Sequence, residues 1–256
     1  GLSYGAVIAM LACMRTGELK TPAPAPRVSG QLRAGFRYVA STPVLRNVLL
    51  MLAIVGTFTF EFQVSLPLIA QYTFQGDARS YAALLAGMGI GAVAGGLITA
   101  GQKKISTQLL ILAAFSFGIT ILVASAMPTL VLAVLAMVLV GASSIYFTSL
   151  GNSILQLQSA PHMRGRVMAL WSVAFLGSTA IGGPIVGWIG ENLDPRWGLG
   201  VGGFAAVSAG VLGLLTVRHA LPPPSEPNAG FMVTDSTVER TGGVALVETA
   251  NNKIQK

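Results

Sequence analysis

Apolar residues run along this chain in long stretches that no charge interrupts, each close to the ~20 residues a helix needs to cross a bilayer. Hydropathy places six such stretches, at about 47–71, 81–101, 108–126, 129–152, 167–189 and 198–217. Lipid offers no partner for a free N–H or C=O, so these segments are expected to be helical. The expected fold is all-α, a polytopic membrane bundle of six transmembrane helices. A further apolar piece, Gly1–Met14, reaches only ~21 Å as a helix, short of the ~30 Å hydrocarbon core. It starts with Gly and has no basic segment before it, which argues against a signal peptide and for the end of a truncated preceding span.

The connections between the stretches alternate in character. Arg15, Lys20, Arg27, Arg33, Arg37 and Arg46 precede the first span, Lys103 and Lys104 follow the second, and Arg164 and Arg166 follow the fourth. Arg218, Arg240, Lys253 and Lys256 come after the last, so these connections hold all the basic residues except Arg79 and Arg196. Those two share their loops with Asp77, Glu191 and Asp194. Every second loop is basic, as six hairpin-connected spans require, and the positive-inside rule makes the basic side cytoplasmic. Residues 15–46 then form a basic cytoplasmic linker. Thr21–Pro26 is expected to be an extended, polyproline-like spacer. Gln31–Ala40 sets Leu32, Phe36 and Val39 on one helical face beside Arg33 and Arg37, which suits a short helix on the membrane surface or a cap on helix ends. From Pro222 the tail has no sustained apolar period and is expected to be disordered, giving units of 1–14, 15–46, 47–217 and 218–256.

Composition supports this reading. Only 10% of the 256 residues are charged while 53% are apolar; a soluble domain would carry roughly 25% charged. The formal charge of +7 is a topology signal, and its dispersed bases lack the aromatic platforms of a nucleic-acid surface. One Cys excludes an internal disulfide, and one Cys with two His offers no zinc spacing. No cofactor is expected.

The chemistry available at depth is sparse. Glu61, within Phe58-Thr-Phe-Glu-Phe-Gln63, is the one acid or base in any span, and no other span offers it a charged partner. An intramembrane carboxylate is costly and marks a polar cavity, a partner or a proton path; the alternative is a side chain that snorkels to the outer interface. Pro67 is expected to break or kink the same helix. The 129–152 span is polar in its inner half, with Ser143, Ser144, Tyr146, Thr148, Ser149 and Asn152, followed by Gln156. Such a stripe either lines an aqueous cavity or bonds neighbouring helices. The 108–126 span, with only Ser116 and Thr120 polar between Gln108 and Ser125 at its ends, reads as lipid-facing, and Trp171 and Trp188 as interface anchors. Gly87, Gly91 and Gly95 form overlapping GxxxG steps, Gly183–Gly187 another and Gly198–Gly202 a fourth, which permit close helix approach. Gly182-Gly183-Pro184 is expected to interrupt its helix at mid-depth. Both His residues, His162 and His219, lie outside the spans, and no span contains Asp, so neither a Ser–His pair nor a paired-aspartate protease can be assembled and no enzyme is expected.

Several local patterns are more specific. Leu32-Arg33-Ala-Gly35-Phe36-Arg37-Tyr38-Val39 and Thr42-Pro43-Val44-Leu45-Arg46 precede the first span, which carries Phe62-Gln63-Val64-Ser65-Leu66-Pro67-Leu68. Gly87-Met88-Gly89-Ile90-Gly91-Ala92 lies in the second, and His162-Met163-Arg164-Gly165-Arg166-Val167-Met168-Ala169-Leu170 opens the fifth. Over about residues 1–220 this resembles the C-terminal half of a major facilitator superfamily transporter, in the secretion-effector branch that includes siderophore and drug exporters. The resemblance implies alternating access by two six-helix halves in a bacterial plasma membrane, with the C-terminus cytoplasmic. It assigns the cavity to the spans starting near 47, 81, 129 and 167. The family's Gly-x-x-x-Asp-Arg-x-Gly-Arg-like gating loop is degraded here: Gly96 to Lys104 keeps Lys103 and Lys104 and lacks the Asp.

The sequence therefore points to half of a secondary, proton-coupled exporter of small molecules. The expected substrate and proton pathway is Glu61, Gln63, Tyr146, Ser149 and Asn152. Packing and hinge positions are Pro67, Gly87, Gly91, Gly95, Gly183 and Pro184, and cytoplasmic gate or anchor positions are Lys103, Lys104, Arg164 and Arg166. Expected partners are the bilayer, a small-molecule substrate and a missing N-terminal six-helix half, with no nucleic acid. The alternative is a truncated or split half-transporter, inactive alone or acting as a subunit.

Overall fold

A computed structural model of the chain describes residues 31–102 and 104–219, with Gly5 and Met10. The expected truncated span at 1–14, apart from the helical Gly5 and Met10, lies outside the described residues. So do the Thr21–Pro26 spacer, Lys103 and the tail beyond His219.

Among the described residues every regular element is a helix. They are α1 (Gln31–Ser41), α2 (Pro43–Phe58), α3 (Phe62–Leu68), a π-helical turn (Ile69–Thr73), α4 (Ala78–Ala100), α5 (Thr107–Ser125), α6 (Leu130–Gln158), α7 (Arg164–Leu176), α8 (Thr179–Asn192) and α9 (Pro195–His219). Six spans long and apolar enough to cross a membrane result: Pro43–Thr73, Ala78–Ala100, Thr107–Ser125, Leu130–Gln158, Arg164–Asn192 and Pro195–Thr216. This is the all-α, six-span membrane bundle that the hydropathy pattern implied.

The helix starts are fixed by short polar side chains in the loops. Asp77 accepts from the backbone N–H groups of Arg79 and Ser80, Ser106 from that of Leu109, and Thr129 from that of Leu132. Each satisfies donors that the first helical turn leaves free. Pro43 opens α2 at a position where its missing N–H costs nothing.

α4 and α6 form the tightest pair. A Cβ added at Gly91 would lie 2.6 Å from the backbone carbon of Val138 and 2.9 Å from the amide nitrogen of Ala142. One added at Gly87 would lie 2.7 Å from the Val134 carbonyl oxygen, and one at Gly95 would stand 2.8 Å from the Ala142 Cα. Gly141 answers from α6, against the carbonyl of Met88. The three glycines thus form one face, four residues apart, on which α6 rests backbone to backbone. α5 completes this side: Phe117, Ile121 and Ala114 are buried, while Leu112, Ile119 and Val123 stay exposed as lipid-facing positions.

The first and fifth spans are each broken in two. The first breaks at Thr59–Glu61, six to eight residues before Pro67; α3 runs through Pro67 and loosens into the π turn directly after it. The proline's missing N–H explains the π turn. The earlier break has another origin, because the Thr59 hydroxyl donates to the Gly202 carbonyl of α9 at 2.8 Å. In the fifth span the interruption falls at Gly177–Ser178, and Gly182, Gly183 and Pro184 lie within α8. The Ser178 hydroxyl donates to the Phe175 carbonyl, a local bond that competes with helix continuation.

α1 packs on α7 through Gly35, where a Cβ would stand 3.1 Å from that of Arg166, and the Tyr38 hydroxyl accepts from the Ala160 N–H at 3.1 Å. Val39 is buried in this contact, while Leu32 and Phe36 stay 64% and 68% exposed. The apolar face expected for this helix is therefore divided between bundle and surroundings.

Candidate functional site

The two breaks lie side by side. At the end of α2, Gly56 backs onto the Phe175 backbone, with 3.0 Å from a Gly56 Cβ to the Phe175 Cα and carbonyl oxygen. Beyond the breaks, α3 and α8 run parallel and interlock: Glu61 faces Gly182 and Gly183, Val64 faces Gly187, and Leu68 faces Gly190. A second break-to-glycine contact joins α9, where a Gly202 Cβ would stand 3.0 Å from the Phe58 carbonyl oxygen.

Glu61 sits at the corner where α3 begins. It is only 4% exposed, and its Oε1 is buried with no hydrogen-bond partner. The first turn of α8 supplies its surroundings. A Cβ on Gly183 would lie 3.3 Å from Oε2, one on Gly182 would lie 3.3 Å from Oε1, and Thr179 is the side chain beside the carboxyl group that can donate to it. The Thr57 carbonyl oxygen touches the same Gly182 position. No larger residue than glycine leaves room there for both oxygens.

Aromatic rings cluster beside the two breaks. Phe60 meets Phe175 edge-on with centroids 4.7 Å apart and Phe117 at 5.5 Å, and Phe117 stacks on Phe147 at 6.2 Å. Trp171 stacks on Phe175 with its indole Nε1 buried and unpartnered. An interface anchor keeps that N–H in water, so of the two tryptophans only Trp188, 63% exposed, has the accessibility of one.

The structure does not bring the five expected pathway residues into one cluster. Glu61 is alone at the break, and Gln63 is exposed on another face of α3. The half-buried Tyr146 hydroxyl accepts from Gln102 Nε2 at 2.6 Å, past the end of α4. Ser149 is half-buried, and Asn152 accepts from Gln156 one turn on, at 3.0 Å. α2 and α6 meet where a Gly151 Cβ would stand 3.0 Å from Leu52, which leaves Glu61 about 14 Å farther along its span at helical rise. Ser149 and Asn152 therefore stand nearer the basic loops than Glu61, Tyr146 lies between, and only the Ser143 and Ser144 end of the α6 stripe reaches the level of Glu61. Lys104 and Arg164 are exposed in the basic loops, whereas Arg166 is half-buried under α1, its Nη1 3.4 Å from Met163 Sδ. The clefts lined by Pro67, Gln71 and Tyr81, and by Leu122, Arg196 and Trp197, open near the acidic loops and include none of these residues.

Sequence reasoning missed Thr57, Thr59 and Thr179, and read Gly202 only as a packing position. Their side chains are ordinary for a membrane helix. The available signal was the GxxxG step ending at Gly202, whose partner could not be read.

The family described as transmembrane secretion effector matches residues 1–240. The chain belongs to that family. Within the major facilitator superfamily, this secretion effector chain is 29% identical over 229 residues to a protein named enterobactin exporter EntS in Citrobacter koseri, covering 86% of this chain and 54% of that protein. It is 28% identical over 229 residues to the protein of that name in Salmonella typhimurium, again with coverage of 86% and 54%. Against the Escherichia coli K12 protein it is 28% identical over 233 residues, with coverage of 88% and 55%. The secretion effector chain thus spans about half the length of the curated relatives it matches.

The Thr59–Gly202 bond ties the broken first span to α9 and is the simplest contact to test. Thr59→Val keeps the shape and removes the donor, and is expected to destabilise the bundle by about 1 kcal/mol, the net worth of one such bond. Thermal unfolding in detergent, compared with Thr99→Val, whose hydroxyl donates to the Gly95 carbonyl of its own helix, measures it.

Proposed function

We propose that this chain serves as the C-terminal half of a secondary exporter of small molecules, working with a second six-helix half by alternating access in the bacterial plasma membrane. The observation that carries the reading is the secretion effector match across all six spans, with relatives named as exporters. Basic loops on one side make that side, and the C-terminus, cytoplasmic. The substrate class is that of siderophores or amphipathic drugs, moved through a cavity to which Gln63, Tyr146, Ser149 and Asn152 contribute hydrogen-bonding groups. Glu61 is the proton carrier of this half: a lone carboxyl group at depth, beside two helix interruptions, has the placement that ion-coupled transporters use. Lys103, Lys104, Arg164 and Arg166 anchor the cytoplasmic ends. Gly183, Pro184 and Pro67, flanking the breaks, let the two spans flex.

Cells expressing the complete reading frame test this. They are expected to retain less of a catecholate iron chelator or a lipophilic cationic dye than control cells, and to lose that advantage when a protonophore collapses the gradient. Equal retention of both probes, with the protein in the membrane, overturns the reading. Efflux that appears only on co-expression of a separate six-helix half identifies this chain instead as a subunit.

A further inference from the structure

The interruption of the first span frees more than a side chain. Thr59 N–H donates to Val55, and the next backbone bonds run from Val64 and Ser65 to the Glu61 carbonyl. The carbonyls of Gly56, Thr57 and Phe58 therefore receive no backbone N–H. One of them, that of Thr57, is turned onto Gly182, where Oε1 of Glu61 also points. An unpartnered acceptor and an unpartnered, buried carboxyl oxygen share the few ångströms around one glycine. Two acceptors cannot satisfy each other; a carboxylic acid and a carbonyl can, because the neutral acid has a hydroxyl to donate.

We propose that in this conformation Glu61 is held as the neutral acid, donating its Oε1 hydroxyl to the Thr57 carbonyl, and that this bond latches α8 against the first-span break. The inference rests on the reading of Glu61 as the proton carrier and says what the proton does. With the proton present, the acid closes the gap between α2 and α3 and seats against Gly182 and Gly183. When the proton passes to water, a carboxylate faces a carbonyl oxygen with Thr179 as its side-chain donor, and the contact between α3 and α8 opens. Among the described residues no other ionisable side chain faces the site. α5 has none; on α2 Arg46 lies near its start, on α8 Glu191 lies near its end, and on α9 Arg196, Arg218 and His219 lie at the ends. On α7 Arg164 and Arg166 lie in the first turn, and Tyr72 is in the π turn beyond α3. The glycines act as the keyhole, since a methyl group at Gly182 would fill the space the two oxygens share.

The test reads the α3–α8 contact directly. A Cβ on Gly187 would stand 3.2 Å from Val64 Cγ1, so Val64→Cys with Gly187→Cys, in the complete protein with Cys13 and every other native cysteine changed to Ser, reports closure as a disulfide. Disulfide yield is expected to fall as pH rises, against the trend of thiol chemistry itself, and Glu61→Gln in the same background is expected to hold the high yield at every pH. Yield that follows the Glu61→Gln background at every pH overturns the latch. Should the double-cysteine protein fail to fold, infrared difference spectra of the unmodified protein decide. A hydrogen-bonded acid C=O band at low pH that is lost in Glu61→Gln supports the latch, and its absence overturns it. The two readings fail separately. Loss of gradient-driven efflux in Glu61→Gln with pH-insensitive crosslinking leaves the proton carrier and removes the latch. Unchanged efflux with pH-sensitive crosslinking leaves the latch and removes the carrier.

Discussion

Replacing Glu61 by Gln in the complete transporter is expected to reduce efflux driven by a pH gradient to the level of cells without the protein, with expression and membrane insertion unchanged. The two side chains have the same number of heavy atoms, so the amide fits between Gly182 and Gly183 as the acid does. The amide also keeps a donor for the Thr57 carbonyl, which spares the fold the cost of leaving that acceptor empty. What it cannot do is release a proton. Exchange of substrate down its own gradient, which needs no proton movement, is expected to survive if the variant still samples both orientations. Everted membrane vesicles with an imposed pH gradient measure the first quantity, and counterflow measures the second. Undiminished gradient-driven efflux ends Glu61's role in coupling.

The second large effect is one of assembly. Gly91→Ala places a carbon against the Val138 carbonyl group and 2.9 Å from the Ala142 nitrogen, all backbone atoms that no rotamer change can move. The two helices must separate, and the contacts at Gly87, Gly95 and Gly141 loosen with them. Overpacking of this kind costs about 1–3 kcal/mol for one added carbon, and Gly91→Leu is expected to prevent the α4–α6 pair from forming. Gly89 is the control, because nothing lies within 4 Å of a Cβ placed there. Unfolding midpoints in detergent are expected to drop for Gly91→Ala and to hold for Gly89→Ala. Equal midpoints would show that this interface yields more readily than its backbone contacts imply.

The sequence carried the six spans because the bilayer demands a long apolar run for each crossing, and every run is visible one residue at a time. It also showed that something polar stood at depth, since Glu61 is the one ionisable group amid Phe58, Phe60 and Phe62. The break at Thr59 was not legible. Hydropathy averages across it, and its cause is a hydroxyl bonded to a carbonyl 143 positions away. Pro67 and Gly182-Gly183-Pro184 drew the expected interruptions toward themselves, although the helices part at Thr59–Glu61 and Gly177–Ser178. The grouping of Glu61 with Tyr146, Ser149 and Asn152 shows a second limit. Position along a helix gives depth only within that helix, and the Leu52–Gly151 contact was needed to show that Ser149 and Asn152 stand at a different level from Glu61.

Stiffness is unevenly distributed across the six spans. With their backbones in contact, α4 and α6 cannot slide or bend independently and behave as one beam. The first and fifth spans each contain a joint at matching height, so any deformation of this half concentrates in that pair. A population under selection for a new substrate would then be expected to accumulate viable changes around the joints and along exposed faces. The beam's glycines would stay fixed whatever the cargo became.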